Sequence, residues 1–254
     1  MKSDSVENRV TGRNISLDKN DLEDFFKNRS RKKDSANPYV SVIYQDDDPE
    51  LALKRDRHEK DLIIPKLQLD TTTKILDIGC GIGRWADALE SKVGHYVGID
   101  FSDDLISQAR KRFEDSSSKI NFRVCAAESA SVDSVGYRNY FDRLIISGVL
   151  IYLNDKDIVK CFRNISSLLA KDSVIYIREP LSITGERLTL VGVWSDNMSQ
   201  KYSAIYRTKE ELEALASQGL ERSISLYFKP LYEDVSLNNR KETMQFYTVL
   251  GLNI

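Results

Sequence analysis

The chain has 254 residues, with 37 Lys and Arg against 39 Asp and Glu and a formal net charge of −2. That balance gives no basis for holding nucleic acid or an anionic membrane, since a duplex binder carries an excess of cations to neutralise phosphates. With 41% hydrophobic and 30% charged residues, the composition is that of a globular protein, long enough for one large domain or a compact domain with a cap.

Residues 1–9 are polar and lack the apolar core of a secretion signal. The chain stays charge-rich to about residue 35. There Phe25 and Phe26 precede a basic cluster of Lys27, Arg29, Arg31, Lys32 and Lys33. The bland reading is a solvated, partly mobile arm. The functional reading is a lid over a cofactor or an anionic substrate. Asn37-Pro38 marks a break. From Asp48-Pro49 to Leu67 an amphipathic helix is expected, with Pro49 in its first turn.

A regular rhythm then begins. Lys74–Ile78 reads as a short buried strand followed by a glycine cluster, then a helix from Arg84 to about Lys92. Tyr96–Asp100 is a second strand, with Ser102 as the N-cap of a helix that turns Leu105, Ile106, Ala109 and Phe113 inward. Ile120–Val124 and Phe141–Ile146 are the third and fourth strands. The fourth is continuously apolar, as a central parallel strand should be. Asn154 or Asp155 caps a helix carrying Ile158, Phe162, Ile165 and Leu169, and Ser173–Ile177 is the fifth strand. Residues 180–207 show no period. Gly185, Gly192, Trp194, Tyr202 and Tyr206 suggest an ordered cap. The sequence Thr208-Lys209-Glu210-Glu211 is a capping box for a helix ending near Gly219. Closing strands are expected at Ser223–Phe228 and Met244–Leu250. Alternating strands and helices predict an α/β fold, a mostly parallel sheet covered on both faces.

Leu144–Leu153 is the longest strongly apolar run and is too short to span a bilayer. Cys80, Cys125 and Cys161 are widely spaced and odd in number. They read as reduced cysteines of a cytoplasmic protein. With only His58 and His95 in the chain, no metal cluster is expected.

The segment Asp77-Ile78-Gly79-Cys80-Gly81-Ile82-Gly83-Arg84-Trp85 joins the first strand to a helix. Its glycines let the backbone approach a ligand and take positive φ. Arg84 stands where the dinucleotide fingerprint G-x-G-x-x-G would need glycine. Asp77 would repel a pyrophosphate but attract a cationic amino group. Asp100, at the end of the second strand, can accept hydrogen bonds from ribose hydroxyls, a feature shared with NAD enzymes. Each aspartate alone could be an ordinary strand-end residue. Cys80 reads as a packing residue rather than a nucleophile.

These residues resemble the class I S-adenosylmethionine-dependent methyltransferases. Residues 77–83 match that family's first motif. Residues 96–102 match the second strand with its ribose-binding acid, and place Phe101 beside the adenine. Residues 141–153 match the fourth strand and the loop facing the transferred methyl. The resemblance runs from about Thr73 to Ile177. It implies a Rossmann-like seven-stranded, mostly parallel sheet with an antiparallel C-terminal strand and a small cap. It divides the chain into an arm or lid at 1–47 and a methyltransferase domain at 48–254, with a cap insertion at 180–207. The cofactor implied is S-adenosyl-L-methionine. The binding residues expected are Tyr44, Asp77, Gly79, Cys80, Gly81, Arg84, Trp85, Asp100, Phe101, Ser102, Ala126, Ala127, Glu128 and Ser147. Many relatives carry an aspartate near the adenine amino group. Here Ala126 takes that position, leaving the Ala127 backbone, with Glu128 nearby.

On the acceptor side, Tyr152 and Glu179 are the catalytic candidates, with Asp155 also in reach. Arg178, Tyr202, Tyr206 and Arg207 are the substrate candidates. Each has a plainer reading: core packing for Tyr152, a surface ion pair for Arg178-Glu179, solvated arginines for Arg187 and Arg207. In the functional reading the two cap arginines favour an anionic acceptor, because guanidinium suits oxyanions. Residues around Phe25, Tyr44-Gln45-Asp46, Arg55-Asp56 and Tyr202–Thr208 are loosely similar to methyltransferases of bacterial capsule and O-antigen biosynthesis. That likeness implies O-methylation of a sugar, sugar phosphate or phosphoramidate for a surface polysaccharide. The alternatives are a small natural-product O- or N-methyltransferase, a non-catalytic binding module and, disfavoured by Asp77 and Arg84, a dehydrogenase. The sequence leaves the oligomeric state open.

Overall fold

A computed structural model describes residues 8–44, 46–116, 118–238 and 240–253. Residues 1–7 and Gln45, which belong to the expected arm, lie outside the described residues.

The chain opens with a short strand β1 (Arg9–Thr11) and a helix α1 (Lys19–Ser30). Asp18 caps α1, its carboxylate accepting from the Asn20 amide at 2.8 Å. Leu22, Phe25 and Phe26 fall at i, i+3 and i+4 and are all buried. The expectation of a solvated arm is therefore corrected. Arg29 is fully buried, bonded to Asp46 at 2.7 Å and to the Val40 carbonyl. Lys32 reaches the same carboxylate. The two phenylalanines gain apolar contacts that a mobile arm would forgo.

Helix α2 (Pro49–Ile63) begins where Pro49 and the Asp48 cap require it, and ends in a 3₁₀ turn to Leu67. The alternating part follows: β2 (Lys74–Ile78), α3 (Arg84–Leu89), β3 (His95–Asp100), α4 (Asp103–Arg112), β4 (Ile120–Val124), the single turn α5 (Val132–Val135), β5 (Phe141–Ser147), α6 (Asp155–Ser166) and β6 (Leu169–Ser182). Period-two alternation sends Leu76 and Ile78 of β2 to one face of the sheet and Ile75 to the other. One apolar cluster joins Leu76, Val97, Leu144 and Ile146 to Ile158, Phe162 and Ile165 of α6. The opposite cluster joins Ile75, Tyr96 and Tyr176 to Trp85 and Leu89 of α3.

Beyond β6 the expected cap is a hairpin, β7 (Leu188–Ser195) and β8 (Gln200–Tyr206). The register shifts between Leu190 and Val193, where the Gly192 amide turns to the Ser203 hydroxyl at 2.9 Å. That irregularity hid the strand period in the sequence. β1 pairs antiparallel with β7, so arm and cap form one three-stranded sheet. Helix α7 (Lys209–Gly219) carries the capping box, with Thr208 and Glu211 bonded reciprocally to each other's backbone.

The closing part departs from expectation at 223–228, which is not a strand. Its amides are spent on α7: Ile224 N–H donates to Ser217 Oγ and Leu226 N–H to the Glu213 carboxylate. The next strand is the two-residue β9 (Lys229–Pro230), followed by the long β10 (Thr243–Asn253). The central sheet runs β4-β3-β2-β5-β6-β10-β9. β4, β3, β2, β5 and β6 are parallel, while β10 is antiparallel to both its neighbours. This is the Rossmann-like methyltransferase sheet. Its order reverses around β2, so the crevice beyond the carboxyl ends of β2 and β5 is where such sheets take ligands.

Among the described residues no helix is long and apolar enough to cross a membrane.

Candidate active site

Two cavities meet at that crevice. The larger, about 460 Å³, lies over the loop between β2 and α3, within the roughly 300–1,000 Å³ of small-molecule sites. Of the fourteen residues expected to hold the cofactor, all but Ser102 line it. Ser102 points into its own helix, where its hydroxyl caps α4 at Leu105 N–H, 3.3 Å away.

The loop can only be glycine at its two ligand-facing turns. Gly79 has φ +69° and Gly81 φ +55°. A Cβ at Gly79 would stand 2.3 Å from the Val149 side chain, and one at Gly81 2.6 Å from Val42 of the arm. The backbone thus forms a floor that side chains would fill. Asp100 sits at its edge. One carboxylate oxygen accepts from Gly81 N–H at 3.0 Å and the other from Ser102 N–H at 2.9 Å. A carboxylate offers about four acceptor sites, so each oxygen keeps capacity toward the cavity. Burial pushes Asp100 up to about 6, against these two amide bonds. Asp77 accepts from the Tyr96 hydroxyl at 2.5 Å. Burial pushes it up to about 7, with Tyr96 and Arg84 opposing. A buried carboxylate poised near neutrality gains most from a ligand cation.

Phe101 is partly exposed over the cavity, edge-on to Phe26 of α1 at 5.2 Å. Ala126, Ala127 and Glu128 close the far end. Lys19 of α1 reaches Glu128 at 2.6 Å and Asp157 at 3.9 Å, tying the arm across the opening. Leu22, Phe26 and Val42 also line this cavity. Phe26 belongs to the arm for which the sequence offers a lid reading; Leu22 and Val42 were missed, because they join the site only through the fold. Trp85 is buried, and its indole N–H has no acceptor among the described residues.

Below the loop lies an ionic network. Arg84 binds Asp56 at 2.6 Å and Glu59 at 2.9 Å, and donates to Ser147 Oγ at 3.0 Å. Lys60 joins Asp56, while Tyr176 and Arg178 join Glu59. Burial alone would raise Glu59, but Arg178 and Arg84 hold it well below the ordinary carboxylate range.

The smaller cavity, about 120 Å³, adjoins the first. Val42, Tyr44, Arg84, Gly148 and Tyr152 line both. Arg178 and Tyr202 line the second, together with Arg55, Tyr232 and Arg240. The last three are acceptor-side residues that sequence reasoning missed, because they come from α2 and from the loop before β10. Burial pushes the phenols of Tyr44 and Tyr232 up to about 12, and raises Tyr152 and Tyr202 well above the usual value. At neutral pH these phenols stay protonated.

Four expectations for the acceptor side are corrected, at Glu179, Arg207, Arg187 and Tyr206. Glu179 lines neither cavity. It is fully buried behind the loop after β5 and accepts from Val149 and Leu150 N–H at 2.8 Å each. It positions that loop. Arg207 is also buried, bonded to Asp155 at 2.7 Å and to the carbonyls of Leu150 and Leu153. Arg187 is held by Asp155 and Glu211. The cap arginines are thus consumed by structure. Tyr206 stands one step back from the cavity, sharing a hydrogen bond with Tyr202 at 2.9 Å and receiving one from Arg240 at 2.9 Å.

With this geometry in place, residues 75–172 match the family described as a methyltransferase domain. The chain is 28% identical over 145 residues to phosphoethanolamine N-methyltransferase 1 of Triticum aestivum, covering 49% of this chain and 29% of that protein. It therefore spans less than a third of this relative's length. N-methyltransferase NodS from Bradyrhizobium japonicum, solved with S-adenosyl-L-homocysteine, superposes with a TM-score of 0.60 at 13% identity over 91% of this chain and 98% of that one. Phosphoethanolamine N-methyltransferase 1 of Haemonchus contortus, solved with phosphoethanolamine and S-adenosylhomocysteine, gives 0.61 at 16% identity over 91% and 49%. These likenesses are of fold.

Proposed function

We propose, from the premise that the chain carries a methyltransferase domain of the S-adenosylmethionine-dependent kind, that it methylates a small polar molecule held in the smaller cavity. The observation that carries this is the pairing of two cavities with a shared wall of Val42, Tyr44, Arg84, Gly148 and Tyr152. The larger has the cradle, the ribose-side carboxylate and the buried Asp77 that suit the cofactor.

The cofactor supplies a methyl group already activated on a sulfonium, so orientation and exclusion of water account for most of the remaining barrier. Gly79 and Gly81 let the backbone pass close to it. Asp100 orients the ribose and Asp77 the amino end. Leu22, Phe26 and Val42 keep water out from above. Tyr152 and Tyr44 stand between the two compartments as hydrogen-bond donors. None of the four buried phenols acts as a base at neutral pH, so any proton of the acceptor passes to water or to a carboxylate of the cavity walls.

The narrower reading is O-methylation of a sugar, sugar phosphate or phosphoramidate for a surface polysaccharide. The cationic, tyrosine-lined second cavity supports a phosphorylated acceptor of that kind. The second reading is N-methylation of a phosphorylated amine, which the likeness in fold to a protein solved with phosphoethanolamine supports. A cytoplasmic setting, in keeping with three buried free cysteines, belongs to the same proposal.

The test is calorimetric titration with S-adenosylhomocysteine against NADH, followed by methyl transfer onto phosphorylated amines and nucleotide-linked sugars. One-to-one binding of S-adenosylhomocysteine alone, with turnover on one acceptor class, is the expected result. Binding without turnover on any extract would make the chain a non-catalytic module. NADH binding would return the dehydrogenase reading.

A further inference from the structure

We infer that the indole N–H of Trp85 binds the carboxylate at the amino-acid end of the cofactor. The inference rests on the reading of the larger cavity as the cofactor site. Trp85 lines that cavity and is 2% exposed. Its ring stands edge-on to Tyr176 at 5.5 Å, with the Arg84 guanidinium 5.2 Å from the ring centre. The indole Nε1 is buried and has no acceptor among the described residues. Buried donors are almost always bonded, and one left unpaired has given up its water for nothing. An acceptor brought by the ligand removes that loss.

The place of Trp85 in the cavity selects the part of the ligand it meets. Asp100 and Phe101, at the end of β3, take the adenosine side. Trp85 packs against Tyr176 of β6, in one apolar cluster with Ile145 of β5. Those strands lie on the other side of β2 from β3, and Ser147 and Gly148 at the end of β5 line the cavity there. An amino-acid end carries its ammonium and its carboxylate on one carbon, so the group that holds one stands close to the group that holds the other. Asp77, when ionised, only accepts and takes the ammonium. The carboxylate needs donors. Arg84 spends Nη1 on Asp56 and Glu59 and Nη2 on Ser147. Ser147 Oγ in turn donates to Glu59 at 2.9 Å. The Trp85 N–H is a buried donor left over at this end. An indole N–H donates only, so it serves the carboxylate and not the ammonium.

The experiment compares Trp85→Phe with the wild-type chain in calorimetric titrations of two ligands, S-adenosylhomocysteine and its decarboxylated analogue, which keeps the ammonium. The substitution keeps a ring against Tyr176 and removes the donor. On the scale of hydrogen bonds to charged groups, S-adenosylhomocysteine affinity should fall about 10- to 100-fold. Affinity for the analogue should stay within twofold of wild type, which also shows that the variant folds. Equal loss for the two ligands would overturn the assignment, and so would no loss for either, which would leave the N–H to an ordered water. Trp194→Phe gives a second reading should Trp85→Phe not fold. The chain has two tryptophans, and Trp194 is 61% exposed, so this variant leaves Trp85 alone to report. Its emission should shift with S-adenosylhomocysteine and not with the analogue, and the same response to both would overturn the assignment. Failure of the wild-type chain to bind S-adenosylhomocysteine would instead overturn the methyltransferase reading itself.

Discussion

The Asp100 carboxylate holds the Gly81 amide at 3.0 Å, so the acid at the end of β3 fixes the turn that forms the floor of the cofactor cavity. The residue thus serves loop and ligand at once. Asp100→Asn keeps one carbonyl oxygen but loses the charge. Hydrogen bonds to charged groups contribute about 1.5–3 kcal/mol, so S-adenosylhomocysteine affinity should fall roughly 10- to 100-fold. The apo protein should also lose about 1–3 kcal/mol of stability, because one of the two buried amides is left without its acceptor. Calorimetry alongside thermal unfolding checks both, and unchanged affinity would remove the ribose role.

Asp77 predicts a pH dependence. Its folded value, about 7, lies above the ordinary 3.8. The native state therefore binds the extra proton, and the stability this contributes is full below about pH 4 and is lost as pH rises through 7. A cationic ligand needs the ionised form. S-adenosylmethionine affinity should climb with pH up to about 7, by at most about tenfold per unit, with one proton released. Asp77→Asn should flatten the profile. Titration in buffers of different ionisation enthalpy reads the proton directly.

Glu179 distinguishes positioning from catalysis. Glu179→Ala leaves the Val149 and Leu150 amides buried without an acceptor, at about 1–3 kcal/mol each. Glu179→Gln keeps an acceptor oxygen and should cost less than half as much. Urea unfolding measures both. If Glu179→Gln instead abolished turnover at native stability, the residue would be the base that its burial argues against.

Arg207→Met should destabilise the fold by about 3–5 kcal/mol, the cost of breaking a buried ion pair. Two carbonyls would lose their donor, and Asp155 would keep only Arg187 and Asn14. The acceptor KM, measured well below the melting temperature, should not change. A raised KM with intact stability would restore Arg207 to the substrate site.

The reading of the arm as a lid is tested at Phe26, which meets Phe101 at 5.2 Å and Tyr152 at 5.0 Å. Phe26→Ala should weaken S-adenosylhomocysteine binding by an order of magnitude and lower stability by up to about 3–5 kcal/mol. Lys19→Met, which removes the ties to Glu128 and Asp157, should weaken affinity with little loss of stability. Equal affinity in both variants would reduce the arm to a structural element. Deletion of residues 1–45 is the poorer test, since it uncovers Ile82, Leu105 and Tyr152.

What the sequence made legible was periodic and local. The strands at 74–78 and 120–124 carry their own apolar pattern, and the glycine loop carries its own chemistry. The Thr208 capping box marked its helix because cap and partner are three residues apart. The misreadings involve long-range partners. Residues 223–228 look like a strand until Glu213 and Ser217 take their amides. Arg29 and Arg207 look solvated until Asp46 and Asp155 are brought beside them. Arg55 and Arg240 stand 185 positions apart in the chain, and no local pattern links them.

The pairing of β1 with β7 has a further consequence. The roof of the site is one sheet assembled from two stretches that lie at opposite ends of the cofactor-binding core in the chain. Grafting the cap of a related protein onto this scaffold would leave β1 facing a foreign edge and α1 facing foreign aromatics. Acceptor preference should therefore transfer only when both stretches are exchanged together.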